Sequence, residues 1–280
     1  MELGLEGKVK MVEKVFLGLD CSSRDKLIDY PYVLISAASL WNGKRFKKIH
    51  FNDEVKEIFL DSGGFSFFTK WAKYPFTTDQ YLEMVRTLCE EHPRTRYVSV
   101  MDYPCEPLIN RSDLRTNYQR IDETLKNTEA LYHREIPSAD WVSVIQGHNM
   151  EEYSYCSEEF RKRGLWTPLT AVGSICTRNE TFAIKQILFM LRRKHRDVKL
   201  HAFGLDYRAL QDREIWNLVY SSDSGAWRLC GDGNKRKKDW RPRGNVELLE
   251  SYKRYREKID ALFDIRNGNE ELCDFKGCIG

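Results

Sequence analysis

The stretch "IFLDSGGFSFF", residues 58–68, runs from apolar residues directly into a carboxylate, a hydroxyl and two glycines. The apolar, β-prone residues that open it favour a buried strand, and the polar and glycine residues at 61–64 end that strand abruptly. Polar groups at the end of a buried strand cost stability unless they are hydrogen-bonded. The stretch therefore predicts a strand whose end holds a ligand or carries out chemistry.

Seven further segments have the same character, and stretches with helical periodicity and many charges separate most of them. The other apolar runs lie at residues 15–22, 32–39, 97–104, 141–148, 169–176, 198–206 and 218–227. Helices are predicted at residues 78–91, 112–133, 151–163, 178–196 and 245–263. Eight such alternations favour a closed (β/α)8 TIM barrel of the α/β class, forming a single domain over residues 1–280. The first two connections leave little room for full helices.

Composition limits the class of protein. The chain has 280 residues, of which 41% are hydrophobic, and a formal net charge of +3, so overall charge does not indicate a nucleic-acid-binding protein. Its eight cysteines are scattered through the sequence and are expected to be reduced thiols. No apolar run is long enough to span a bilayer, and the charged N-terminus lacks a signal-peptide core. We therefore expect a cytoplasmic protein without membrane contact.

In a TIM barrel, catalytic groups lie where the strands end, at the C-terminal rim. The predicted strands end in a set of polar or small residues: Asp20, Ser36, Asp61, Asp102, Gln146, Gly173, Gly204 and Asp223. A lone aspartate after a strand is more often a helix cap or a turn residue, and we assign Asp20 and Asp206 to that role. The remaining carboxylates and the glutamine predict one polar pocket at the mouth of the barrel.

Two carboxylates on one rim suit a reaction at the anomeric carbon of a sugar. In retaining glycosidases one carboxylate is the nucleophile and the other carries the proton, through an oxocarbenium-like transition state. We assign the role of nucleophile to Asp223 and the role of proton carrier to Asp61. A plain glycoside hydrolase is disfavoured, because Asp102 and Gln146 offer the acceptor and donor that a guanine-like base requires.

The order of these motifs resembles the tRNA-guanine transglycosylase superfamily over roughly residues 15–228. The matching motifs are Asp-Ser-Gly-Gly-Phe at 61–65, the aspartate before Tyr-Pro at 102–104, Gln-Gly at 146–147 and the final aspartate at 223. Members of that superfamily are (β/α)8 enzymes that exchange guanine for a 7-deazaguanine such as preQ0, preQ1 or queuine. "HAFGLD" (201–206) and "SSDSGAW" (221–227) look closest to the compact DpdA-type 7-deazaguanine DNA transglycosylases.

The resemblance implies a role for each matching residue. Asp223 matches the nucleophile and Asp61 the general acid/base. The implied base-binding residues are Ser62, Phe65, Asp102, Gln146, Gly173, Ser174, Phe203 and Gly204. Ser174 is a departure, because it stands where the family has a glycine. The implied function is a pentosyltransferase that replaces guanine in DNA with a preQ0-like base, with DNA and the free 7-deazaguanine as partners.

Several alternatives stay open. Superfamily members that act on tRNA carry a zinc subdomain after the nucleophile, with a Cys-x-Cys-x-x-Cys motif. Here Cys230, Cys273 and Cys278 lack that spacing, so no zinc subdomain and no cofactor are expected, although three thiols and an outside ligand can hold zinc. A tRNA substrate, a non-catalytic nucleic-acid-binding barrel subunit and a homodimer remain possible.

A basic run follows the predicted nucleophile strand and is therefore expected on the same rim. Its proposed contacts to the nucleic-acid backbone are Lys235, Arg236, Lys237, Lys238, Trp240, Arg241 and Arg243. The alternative, a solvated charged loop, is given equal weight. A target guanine in a duplex must leave its stack to reach the pocket, so base flipping or a single-stranded substrate is implied.

Overall fold

The computed structural model describes residues 12–107, 109, 113–176, 178, 181–229 and 244–267. Its strands are β1 (Lys14–Leu19), β2 (Tyr32–Ser36), β3 (Glu57–Asp61), β4 (Thr95–Ser99), β5 (Asp140–Ile145), β6 (Leu169–Val172), β7 (Lys199–Ala202) and β8 (Ser221–Ser224). They are parallel, pair in chain order and close into a barrel where β8 pairs with β1. The predicted (β/α)8 TIM barrel is confirmed.

Helices connect the strands and cover the outside of the barrel. They are α1 (Ala37–Leu40), α2 (Gly64–Trp71), α3 (Thr78–Glu91), α4 (Asn117–Tyr132), α5 (Met150–Lys162), α6 (Thr181–Lys194), α7 (Tyr207–Gln211), α8 (Arg213–Leu218) and α9 (Asn245–Arg266). The longer ones bury an apolar stripe, as α3 does with Tyr81, Leu82 and Val85. No helix in this described part combines the length and apolar character needed to cross a bilayer.

The connections follow the local sequence. One 3₁₀ turn at Asp25–Leu27 joins β1 to β2, and the four-residue α1 is the helix between β2 and β3. As predicted, neither of the first two connections holds a full-length helix. Helix α3 has the predicted bounds because Thr77 caps it: the Thr77 hydroxyl accepts from the Gln80 N–H at 3.3 Å, and Gln80 Oε1 accepts from the Thr77 N–H at 2.9 Å.

The last strand is shorter than predicted. The run at 218–227 was expected to be a strand, but Leu218 is the last residue of α8 and β8 begins at Ser221. Asp212 caps α8 by accepting from the N–H groups of Glu214 and Ile215, at 2.9 and 3.2 Å. The prediction of the strand start was wrong because a buried helix end and a buried strand both read as a short apolar run.

Side chains fill the barrel in layers that lead up to the rim. Near the N-terminal ends of the strands, Lys14 Nζ lies 2.7 Å from Glu57 Oε1. Above this ion pair, the rings of Phe16, Phe59 and His201 form an aromatic floor. The ring centroids of Phe16 and Phe59 are 5.7 Å apart, and those of Phe59 and His201 are 4.7 Å apart.

The next layer contains the predicted reactive residues. Side chains alternate along a strand, so residues two positions apart face the same side. Asp61 lies two positions beyond Phe59, and Phe203 lies two positions beyond the histidine of the floor. Asp223 lies two positions beyond Ser221, whose hydroxyl contacts that histidine. The alternation thus brings Asp61, Phe203 and Asp223 together above the floor, at the C-terminal mouth.

Candidate active site

Asp61 is the last residue of β3 and is half-buried at the mouth. Its Oδ2 accepts a hydrogen bond from the Gly63 N–H at 3.0 Å. Burial, followed by the charges of Asp102 and Asp223, raises the pKa of the Asp61 carboxyl from 3.8 to about 7. A carboxyl with a pKa near neutrality can both donate and accept a proton at physiological pH, as a general acid/base must.

The two glycines after Asp61 are explained by close backbone approaches. Gly63 has φ +78°, in the left-handed region, and a Cβ there would lie 2.6 Å from the Ala38 nitrogen. A Cβ on Gly64 would lie 2.8 Å from the main-chain oxygen of Asp102 and 2.9 Å from Tyr74 Oη. Gly63 therefore lets the end of β3 pack against α1, and Gly64 lets it pack against the loop that carries Asp102.

Asp223 lies in β8 with 8% of its surface exposed. Its Oδ1 accepts a hydrogen bond from the Gly204 N–H at 2.8 Å. His201 is fully buried beneath it: Nε2 lies 3.3 Å from the same Oδ1, without the linear geometry of a hydrogen bond, and Nδ1 lies 2.9 Å from Ser221 Oγ. The carboxylate is thus held by one main-chain hydrogen bond and lies against an imidazole ring.

Asp102 lies in the loop after β4, where both of its carboxyl oxygens accept hydrogen bonds. Ser62 Oγ donates to its Oδ1 at 2.6 Å, and Gln146 Nε2 donates to its Oδ2 at 2.5 Å. Tyr74 Oη donates to its main-chain oxygen at 2.7 Å. Burial raises the pKa of the Asp102 carboxyl, while the Ser62 and Gln146 donors oppose that shift. Three of the residues predicted to bind the base are thereby in direct contact.

The hydrogen-bonded polar chain of side chains Ser62, Asp102 and Gln146 continues through Ser174 to Glu106, a residue that the sequence did not indicate. Ser174 Oγ lies 2.6 Å from Gln146 Oε1 and 2.9 Å from Glu106 Oε2, and it accepts from the Cys105 N–H at 2.8 Å. Glu106 is 3% exposed, and burial raises the pKa of its carboxyl. The sequence indicated Glu106 only through its position, four residues after Asp102 in the same rim loop.

Gly173 and Gly204 allow the strands β6 and β7 to approach their neighbours. The Gly173 N–H donates to the Ile145 oxygen at 2.9 Å, and its own oxygen accepts from Tyr153 Oη at 2.7 Å, so both main-chain groups are engaged. Gly204 has φ +67°, and a Cβ there would lie 2.5 Å from Cys176 Cβ. The predicted main-chain contact of Gly173 with a base would therefore compete with its two hydrogen bonds.

Gly173 also sets the position of Gln146, because a Cβ on Gly173 would lie 2.3 Å from Gln146 Nε2. We expect Gly173→Ala to push the Gln146 amide away from Asp102. Losing one hydrogen bond to a charged group costs about 1.5–3 kcal/mol, so KM for the incoming base should rise at least roughly tenfold. Steady-state exchange assays measure this change. Gly244→Ala is the matched control, because a Cβ at this glycine meets no atom within 4 Å and its φ of −143° lies outside the left-handed region.

The two aromatic residues predicted to hold the base lie at the mouth. Phe65 is in the first turn of α2, directly after β3, and 37% of its surface is exposed. Phe203 is partly buried, with its ring centroid 5.7 Å from that of Phe59 and 4.8 Å from that of His201. Phe65 thus leaves a free aromatic face on the rim, and Phe203 rests on the aromatic floor.

The assignment of Asp20 and Asp206 to structural roles is confirmed. Asp206 caps α7, since its Oδ1 accepts from the Ala209 N–H at 2.9 Å. Asp20 accepts from the Ser22 N–H at 3.0 Å and pairs with Arg228 at 2.6 Å. Neither carboxylate belongs to the polar chain around Asp102.

Two predictions lie outside the described residues. These are the basic run at 235–243 and the cysteines Cys230, Cys273 and Cys278. Within the described ranges, no three His, Cys, Asp or Glu side chains are grouped as metal ligands.

The fold is a TIM barrel with buried carboxylates at its C-terminal rim, where enzymes of this fold carry their catalytic residues. Among protein-family models, DpdA, described as DeoxyPurine in DNA protein A, matches residues 38–273. The chain belongs to this family of DNA 7-deazaguanine transglycosylases, which assigns it a role in deoxypurine modification and DNA as its substrate. No curated protein matches the chain in sequence.

Proposed function

We propose that this protein exchanges guanine in DNA for a 7-deazaguanine such as preQ0, through a covalent bond between the deoxyribose and Asp223. Membership of the DpdA family supports DNA as the substrate. The observation that carries the proposal is the placement of two carboxylates at one mouth, Asp61 at the end of β3 and Asp223 in β8. Burial first, and then the charges of Asp102 and Asp223, raise the pKa of Asp61 to about 7. One carboxylate is thereby suited to attack and the other to carry a proton.

In the first half of the reaction, an Asp223 carboxylate oxygen attacks C1′ of the target nucleotide. The bond between C1′ and guanine N9 breaks with its electron pair on the base, and Asp61 donates the proton that lets guanine leave neutral. A glycosyl ester on Asp223 and an ionised Asp61 remain. The Gly204 N–H, 2.8 Å from Asp223 Oδ1, keeps this carboxylate aimed before attack.

In the second half, the incoming 7-deazaguanine loses its N9 proton to Asp61. Its N9 then attacks C1′, and the ester bond to Asp223 breaks, which regenerates the carboxylate. Two inversions at C1′ give net retention, and Asp61 ends in its starting protonated form. Because the same group donates and then accepts a proton, a pKa near neutrality serves both halves.

Recognition of the base follows from the polar chain. The donors N1–H and N2–H of a guanine-like base require an acceptor, which Asp102 supplies; each of its oxygens keeps a lone pair after binding Ser62 and Gln146. The base oxygen O6 requires donors, and the second Gln146 N–H and the Ser174 N–H supply them. Phe65 is the proposed stacking partner. The basic run at 235–243 is proposed to hold the DNA backbone, and the target base to be flipped out of its stack.

The substrate is tested by incubating the protein with preQ0 and either guanine-containing DNA or tRNA, followed by digestion and mass spectrometry of the nucleosides. The proposal predicts a deazaguanine deoxynucleoside from DNA and none from tRNA. Incorporation into tRNA alone would replace the proposal with the tRNA enzyme. No incorporation into either, with guanine retained, would indicate a non-catalytic barrel.

His201 is proposed to position the nucleophile. His201→Phe keeps a ring between Phe59 and Phe203 but removes the nitrogen that lies 3.3 Å from Asp223. We expect kcat of exchange to fall roughly tenfold to a hundredfold, because the carboxylate loses the polar neighbour that lies beside its Oδ1. KM for the base should stay unchanged, since His201 lies below the pocket. An unchanged kcat in a folded variant would contradict this role.

A further inference from the structure

The Ser174 hydroxyl lies within hydrogen-bond distance of two oxygens but has only one proton to donate. One of the two neighbouring groups must therefore donate a proton of its own. A serine hydroxyl has one proton and two lone pairs. The Cys105 N–H occupies one lone pair, at 2.8 Å. The two other partners, Gln146 Oε1 at 2.6 Å and Glu106 Oε2 at 2.9 Å, are both oxygens. One of them must therefore bring its own proton to Ser174.

The amide of Gln146 cannot bring that proton. Turning the amide over would place Oε1 against Asp102 Oδ2, at the 2.5 Å now spanned by Nε2. That arrangement would require a proton on Asp102 Oδ2, whereas in the proposed function Asp102, which accepts from Ser62 Oγ at its other oxygen, is the ionised acceptor of the base N1–H and N2–H. Glu106 is left as the proton donor. The hydrogen bonds thus all run in one direction: Glu106 donates to Ser174, Ser174 donates to Gln146, and Gln146 donates to Asp102.

The backbone at Ser174 supports a specific role for this hydroxyl. Ser174 has φ +55°, in the left-handed region, which costs a non-glycine residue roughly 1–2 kcal/mol. Glycine would relieve that strain. The serine instead supplies the only atom that links the Glu106 carboxyl to the Gln146 amide in the contacts described above.

We propose that Glu106, in its neutral form, is a positioning residue that fixes the orientation of the Gln146 amide and so sets the preference for a 6-oxo purine. This inference rests on the proposed function, because it assigns Gln146 to the base. With Glu106 protonated, Ser174 donates to Gln146 Oε1, and the amide N–H groups face Asp102 and the base oxygen O6. When Glu106 ionises, the Ser174 proton turns to the carboxylate. Gln146 Oε1 then faces a lone pair of Ser174 instead of its proton, so Asp102 alone restrains the amide and the rejection of a 6-amino purine weakens.

The surroundings of Glu106 raise the pKa of its carboxyl. Burial is the largest cause and the nearby Asp102 charge adds to it, whereas the hydrogen bonds with Ser174 and Cys176 lower the pKa. The thiols of Cys105 and Cys176 and the phenol of Tyr153 also lie close, and burial raises their pKa values, so these groups stay neutral. The Arg178 guanidinium donates to the main-chain oxygens of Ser174 and His148.

The test compares the wild type with Glu106→Gln, which keeps the shape and an N–H donor but does not ionise. The measured quantity is the ratio of kcat/KM for guanine to that for 2,6-diaminopurine as the incoming base, from about pH 6 to about pH 9. In the wild type the ratio should fall roughly tenfold or more as pH rises, the equivalent of one lost hydrogen bond. In Glu106→Gln it should stay high across the range. Glu90→Gln on the exposed surface of α3 is the matched control and should behave as wild type.

Two further measurements separate this inference from the proposed function. Infrared difference spectra should show the carbonyl band of a neutral buried carboxylic acid near neutral pH, which Glu106→Gln removes; this readout needs no exchange activity. Ser174→Gly relieves the left-handed strain and should be at least as stable as wild type, yet it should lack the pH dependence of the base preference. A wild-type ratio that does not change with pH, or an ionised Glu106 at neutral pH, would overturn the inference even if exchange is observed. Absence of exchange with an intact carbonyl band would instead count against the proposed function.

Discussion

Replacing Asp223 by asparagine is expected to abolish both the covalent adduct with DNA and base exchange. The amide oxygen still accepts from the Gly204 N–H, at 2.8 Å from Oδ1 in the wild type, so the local geometry is kept. The amide lacks the negative charge needed for attack on C1′ and cannot form the glycosyl ester. We expect the exchange rate to fall by at least about 10³-fold, as is typical when a covalent nucleophile is lost.

The matched control is Asp206→Ala, which removes another carboxylate from the same rim. Asp206 caps α7, and losing a cap costs about 1 kcal/mol of stability. This variant should therefore melt at a slightly lower temperature but retain the adduct and the exchange. The measurement is denaturing gel electrophoresis of labelled DNA after quenching, with nucleoside analysis in parallel. An adduct that persists in Asp223→Asn would remove Asp223 from the role of nucleophile.

The second large effect is expected for Asp61→Asn. Without a proton carrier, guanine departure slows and the incoming base is not deprotonated, so turnover should fall by about 10²–10⁴-fold. Some adduct should still form, because Asp223 is intact, and it should accumulate since the second half of the reaction is blocked. Rapid-quench kinetics with and without preQ0 measure both effects. Full turnover of Asp61→Asn would contradict the assignment of Asp61.

Asp61→Asn should also change the pH dependence of stability. The pKa of Asp61 rises from 3.8 to about 7 on folding, so the folded state favours the protonated form. Its contribution is fully present below about pH 4 and is lost as pH rises through about 7. Asparagine mimics the protonated form at every pH. The variant should therefore match the wild type near pH 4 and be more stable near pH 8, by roughly 2–4 kcal/mol, which thermal melts at the two pH values measure.

The fold could be predicted from the sequence because the signals for strand ends and for helix starts indicated the same architecture. Each strand ends in a polar or small residue or directly before one, and α3 begins directly after its cap, Thr77. The carboxyl ends of parallel strands share one rim, so the approach of Asp61, Asp102 and Asp223 followed from the topology alone. The order of motifs then indicated the family to which the chain belongs.

The residues that the sequence missed take their roles from contacts between strands and loops distant in the chain. His201 was not identified because its position beneath Asp223 depends on the register of β7 and β8, which pairs it with Ser221. Glu106 was not identified because its partner Ser174 lies 68 residues away along the chain. Glu106 belongs to no motif, and His201 stands in the "HAFGLD" stretch without a role assigned to it there, so only the three-dimensional arrangement shows the contacts of both residues.

Mapping the covalent intermediate tests the central claim most directly. The protein is incubated with a guanine-containing DNA oligonucleotide in the absence of a 7-deazaguanine, quenched in acid, digested with protease and nuclease, and analysed by mass spectrometry. We predict a deoxyribose-linked peptide modified at Asp223, with one free guanine released for each adduct. Attachment at any other residue, or release of guanine without an adduct, would contradict the account.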